Sequence, residues 1–178
     1  MNTRMNSLSI QNKRAFTLIE LLVVVAVVSV LATLLYTGIT AAQNKAYTAR
    51  AVKEFRSFAQ AMTVYLLKND TYPPDVNRDI PAGLEPYLAN NGNWPDGPYP
   101  GSVYDWDNIG GADPYIQISL RFCDINGNNC RFPIESWAQD FDKNSAMYWC
   151  FEGVCRSHSS QPVDHPGYCV NCGLETGL

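Results

Sequence analysis

The sequence predicts an α+β fold: one long N-terminal helix, hydrophobic in its first half and amphipathic in its second, packed against a small antiparallel β-sheet. Three observations predict it. All 11 prolines lie at or after Pro73, 11 of the 12 glycines at or after Gly83, and all six cysteines at or after Cys123. The chain before that break therefore reads as a single element and the remainder as a turn-rich body. Before the break, apolar residues recur at helical spacing. After it, Ile116, Ile118, Leu120 and Phe122 alternate with Gln117, Ser119 and Arg121, the period of a half-buried strand.

With 178 residues the chain holds one ordinary domain plus an appendage. Charged residues at 17%, apolar at 46% and aromatic at 12% exclude wholesale disorder. A net charge of -4 argues against a nucleic-acid partner, which needs a basic field, and a mean hydropathy of -0.18 excludes a polytopic membrane protein. Charge is segregated along the chain. Residues 1–15 hold Arg4, Lys13 and Arg14 and no acid, residues 45–68 hold five bases against Glu54, and residues 70–178 hold five bases against fifteen acids.

The helix begins with an apolar run. Leu21 to Ile39 are 19 consecutive uncharged residues, about 28 Å of helix, which matches a bilayer core. The run follows Lys13 and Arg14, so the leader stays cytoplasmic and the body crosses outward. A secretory signal peptide is the plainer alternative. The apolar stretch exceeds the usual 7 to 15 residue core of such a peptide, and no cleavage site with a polar mature start follows it. Glu20 breaks the pattern, because an ionised carboxylate unpaired in lipid costs roughly 2.5–3.5 kcal/mol even on the lenient insertion scale. Snorkelling to the interface is one remedy.

The stretch KRAFTLIELLVVVAVV, residues 13–28, resembles the processing site of the prepilin family, the subunits of type IV pili and of type II secretion pseudopili. The resemblance implies a leader, residues 1–15, cut between Ala15 and Phe16 by a membrane prepilin peptidase that also methylates Phe16. Thr17, Leu18 and Ile19 are then filler, and Glu20 is the carboxylate that neutralises the new terminal ammonium of a neighbouring subunit. A chain anchored alone has no evident reason to carry Glu20. Two departures stand out: Ala15 occupies the place of the family's usual Gly, and the apolar half lacks the proline many pilins have, leaving Gly38 as its one helix-weakening residue.

The amphipathic half follows. Val52, Phe55, Ala59, Met62 and Leu66 form a stripe, with Lys53, Arg56, Gln60 and Lys68 off it. Asp70-Thr71-Tyr72-Pro73-Pro74 ends the helix by removing donors and forcing extended backbone; a helix closing on a Tyr-Pro turn again resembles the pseudopilins. Residues 16–42 are thus the membrane or filament-core half, and 43–178 the globular extracytoplasmic domain. Within it, Pro81 to Asn91 predicts a short helical turn and Trp94 to Pro114 a loop. Asn126-Gly127 predicts a turn from which Arg131 to Ile134 returns antiparallel to the first strand, and Ala146 to Phe151 with Val154 to Arg156 predicts a second hairpin around Gly153.

The cysteines fall into three close pairs. Cys123 and Cys130 flank the first turn, Cys150 and Cys155 flank the second, and Cys169 and Cys172 form CVNC. Paired knuckles also fit zinc, and CVNC fits a redox site. An oxidising compartment outside the cytoplasm favours structural disulfides. Asp105, Asp107 and Asp113, among the aromatics of the 94–115 loop, are a candidate calcium site, as the resemblance to the major pseudopilins implies. Asp124-x-Asn126-x-Asn128 mimics the start of a calcium loop, but its glycine is misplaced. His158 and His165 read as exposed, and no catalytic motif is present.

The expected function is that of a non-enzymatic subunit of a type IV pilus or type II secretion pseudopilus, with no required cofactor. Its implied partners are identical or related pilin subunits, the prepilin peptidase, an assembly platform in the cytoplasmic membrane, and lipid before assembly. The different-class alternative is a membrane-anchored extracytoplasmic binding or thiol-redox module that never polymerises.

Overall fold

The computed structural model describes residues 16–89, 92–112, 114–138, 145–155 and 168–171. Helix α1 spans Leu18–Asn69, 52 residues. It stops where the sequence has nothing left to continue it: Asp70 takes a left-handed φ of 56°, and two prolines follow within four residues. The chain divides into two compact units between Ala41 and Ala42.

In the second unit, α1 packs on a four-stranded sheet. The strands are β1 (Val103–Ile109), β2 (Tyr115–Arg121), β3 (Ser145–Glu152) and β4 (Tyr168–Asn171), in the order β1-β2-β3-β4. The first three are antiparallel neighbours, and β4 joins β3 in parallel, so the sheet is mixed. The helix residues that reach the core are Ala51, Phe55, Phe58, Ala61 and Met62. Phe55 and Met62 lie on the expected stripe; Val52, Ala59 and Leu66 are only half-buried. The stripe turns toward Phe58 because its ring stacks on Trp94 and meets Tyr104 edge-on, while Ala51 and Ala61 let the helix come close.

Three sequence expectations are corrected. The tract from Trp94 to Pro114 contains a strand, β1, because Tyr104 and Trp106 bury completely against the helix side. Among the described residues, which exclude Arg156, the two predicted return strands do not form. Arg131 to Ile134 make a single backbone bond toward the first strand region, Arg131 N–H to Phe122 O (2.8 Å), and Val154 and Cys155 lie outside any strand. Their places beside β2 and β3 are taken by β1 and by β4. The predicted helical turn narrows to one 3-10 turn, Glu85–Tyr87.

Candidate functional site

Thr17 and Glu20 build the start of α1. The Glu20 N–H donates to Thr17 Oγ1 (3.3 Å), and the Thr17 N–H (2.9 Å) and hydroxyl (2.8 Å) both donate to Glu20 Oε2. This is a reciprocal capping box, which satisfies two donors that a helix start otherwise leaves free. Glu20 therefore has a partner within its own chain. That gives the carboxylate a local role even in a chain anchored alone. Thr17, read from the sequence as filler, is the residue that was missed, although its spacing of three from a Glu is itself the capping-box signal.

Beyond the cap, the apolar half is bare. Leu21, Val24, Val27, Leu31, Leu35 and Ile39 are each more than half exposed, and Phe16 is 80% exposed. An uncovered apolar surface of this extent is foreign to a soluble monomer. Three hydroxyls inside it are satisfied locally: Ser29 donates to Val25 O (2.7 Å), Thr33 to Val30 O (2.8 Å) and Thr40 to Tyr36 O (3.2 Å), as a lipid environment demands. The helix is long and apolar enough to cross a membrane.

Residues 10–36 match the family model described as the prokaryotic N-terminal methylation motif. The chain carries the hallmark of type IV pilins and pseudopilins. No curated protein and no solved structure matches the chain. The methylation motif covers Lys13 and Arg14, Phe16, the Thr17–Glu20 cap and the bare helix as far as Tyr36. Such a motif on an apolar helix fits a structural protein anchored in a membrane before assembly. Ala15, the residue before the expected cut, lies outside the described residues.

The body holds a second polar site, on the sheet face turned away from α1. Arg121 pairs with Asp105, and its Nη2 stands 4.0 Å from Asp107 Oδ1. Gln117 Nε2 donates to Asp107 Oδ2 (2.9 Å). Burial, and then the charge of Asp105, push the Asp107 carboxyl up to about 7. Arg78, a second residue the sequence reading passed over, ties this cluster to the next loop. Its N–H donates to Asp105 Oδ1 (2.6 Å), and its guanidinium donates to the carbonyls of Cys123 (2.8 Å) and Asp124 (2.6 Å). Arg121 supplies the positive charge beside Asp105 and Asp107 that the sequence reading assigned to calcium, and Asp113 lies outside the described residues. Among the described residues no cluster of three or more metal-ligating side chains occurs.

Asp124 closes the neighbouring turn by accepting from the N–H groups of Asn126 (2.9 Å) and Asn128 (2.8 Å) and from Asn129 Nδ2 (2.8 Å), which hold its carboxyl below the usual range. The same turn is bridged by a Cys123–Cys130 disulfide. A Cys150–Cys155 disulfide closes the turn after β3, which removes one of the two knuckles a zinc site needs. Cys169 is also disulfide-bonded; Cys172, His158 and His165 lie outside the described residues.

Proposed function

We propose that this chain is a structural subunit of a type IV pilus or type II secretion pseudopilus, cut between Ala15 and Phe16, methylated at Phe16 and polymerised through its N-terminal helix. Residues 1–15 are the leader, 16–42 the membrane and filament-core half, and 43–178 the extracytoplasmic body. The observation that supports the reading is the methylation motif at residues 10–36 running directly into a helix whose apolar half is bare. Such a surface is stable in lipid before assembly and against identical helices afterwards. Prepilin peptidase, an assembly platform and related subunits are the partners this requires. Nothing in the reading needs a bound cofactor.

The test is to shear surface filaments from cells, image them and sequence the N-terminus of the subunit. N-methylated Phe16 in filament material is the expected result. An intact Met1 terminus, or a cut beyond Ala32, in assembled material would overturn it. The membrane-anchored module that never polymerises remains the alternative outcome, and the Thr17–Glu20 pair favours it more than the sequence does, since it gives Glu20 work in a lone chain.

A further inference from the structure

Of the cations on the outer half of α1, Arg50 is ion-paired with the helix's own acid, Glu54, and Lys53 and Arg56 are not. Glu54, the one acid between residues 45 and 68, accepts from the Tyr104 hydroxyl (2.7 Å) and from Arg50 (2.7 Å). Lys53 and Arg56 project from the solvent face and have no ion-pair partner among the described residues. Lys53 lines a recess of about 390 Å³ together with Phe58, Leu88, Pro95 and the paired Arg50 and Glu54.

Carboxylates gather at the opposite end of the body. Asp75 accepts from the Asn108 N–H (3.1 Å). Asn108 pairs with Ile116 on β2, and Ile116 with Glu152 on β3, so Asp75 and Glu152 flank one end of the sheet. Tyr72 lies at that end, its ring against Trp106 and Phe151, and burial followed by the Glu152 charge raises its phenol. The cationic end is fixed in the same way, by Phe55 and Phe58 against Tyr104. From Arg56 to Asn69 the helix advances about 20 Å. The exposed Lys53 and Arg56 thus lie toward one end of the body, beside the Arg50–Glu54 pair, and the exposed Asp75 and Glu152 toward the other, where the last helical turn carries Lys68 over the Tyr87 ring.

Like ends repel, so a two-fold contact through either end is disfavoured. The complementary contact is head to tail, and a contact of that kind repeats into an open chain. We propose that Lys53 and Arg56 of one copy dock against Asp75 and Glu152 of the next copy of this chain, forming an electrostatic contact between bodies that sets their longitudinal register. This rests on the filament-subunit reading.

The test uses the full chain in its membranes and in sheared filaments. Zero-length carbodiimide coupling of assemblies mixed from light and heavy isotope-labelled chains, followed by peptide mass spectrometry, should join Lys53 of one label to Asp75 or Glu152 of the other, which marks the link as one between copies. Lys53→Glu with Arg56→Glu should cut filament yield about tenfold or more, since opposed like charges cost several kcal/mol. Adding Asp75→Lys and Glu152→Lys in the same chain should restore it. Wild-type filaments lacking that cross-link, reversed variants that assemble normally, or a combined variant that accumulates in the membrane without recovering would each overturn the proposal. If a reversed variant does not accumulate, the cross-link in the wild-type chain decides alone. Wild-type cells that make no filaments refute the subunit reading instead, and the cross-link in their membranes then still decides the docking contact.

Discussion

Glu20 is hydrogen-bonded to Thr17 through three contacts, with the carboxylate accepting from both the N–H and the hydroxyl of Thr17. The pair fixes the first turn of α1 and also lowers the cost of keeping Glu20 in an apolar helix. A carboxylate already holding two donors is less exposed to the lipid penalty than a bare one. A carboxylate held this way is compatible with the proposed assembly, in which it would exchange Thr17 for the ammonium of a neighbouring subunit.

Thr17→Val removes the hydroxyl and leaves the Thr17 N–H to Glu20 alone. Loss of an N-cap side chain costs about 0.5–2 kcal/mol. The expected outcome is faster amide hydrogen exchange over residues 18–21 in detergent-solubilised chain, with the body unchanged. Exchange at the wild-type rate would show that the cap contributes nothing to the helix start.

Arg78→Ala should weaken the body more than an ordinary surface substitution. It removes two charge-assisted bonds, to Cys123 O and Asp124 O, that join the disulfide loop to the sheet. Such bonds contribute roughly 1.5–3 kcal/mol each net of water, and Arg78 is only partly buried, so a loss of about 2–4 kcal/mol is expected in thermal unfolding. The exchange protection of residues 123–130 should fall with it, even though the Cys123–Cys130 bridge remains. A melting temperature within a degree or so of wild type, roughly the noise of the scan, would count against this tether.

Asp107 gives the body a pH dependence opposite in sign to that of most carboxylates. Its folded pKa is raised to about 7, so the folded chain holds this proton more tightly than the unfolded chain, where the value is about 4. Its contribution to stability is complete below about pH 4 and declines as pH rises toward 7, then stays flat. Between pH 5 and 8, where ordinary carboxylates are already ionised, stability should fall by roughly 1–3 kcal/mol. Asp107→Asn keeps an acceptor for Gln117 and deletes the charge. It should be more stable than wild type at pH 8 and should flatten the slope; an unchanged slope would remove Asp107 as its source.

Much of this was legible in the sequence because hydrophobic period and turn chemistry agreed over long stretches. The helix, its end at Tyr72-Pro73, and strands β2 and β3 fall in that class. β1 was not legible: its alternating face is Asp105 and Asp107, residues that disfavour strands, and only the buried Arg121 from the next strand makes that face tolerable. The parallel β4 was hidden for a related reason, since a four-residue strand paired across a long connection leaves no local turn signal. At the helix start the opposite held. The family motif drew attention to Glu20, and the capping box in the same letters went unread.

Glutamine at position 20 separates the observed capping role of that carboxylate from its proposed role in assembly. The capping box accepts Gln as well as Glu, because an amide oxygen can take the Thr17 bonds, so Glu20→Gln should preserve the helix start and membrane insertion. It carries no charge to neutralise the ammonium of a neighbouring Phe16, and stranding one charge of a buried pair costs about 3–5 kcal/mol. Filaments should then be lost or erratic while membrane subunit accumulates normally. Glu20→Ala removes both functions and should lose filaments together with protection of the first turn, whereas Thr17→Val weakens only the cap. The readouts are filament number by electron microscopy, subunit amount by immunoblot and exchange at residues 18–21. Wild-type filament numbers from Glu20→Gln at wild-type membrane levels would reduce Glu20 to a capping residue and transfer the work of holding subunits in register to the exposed charges of the body.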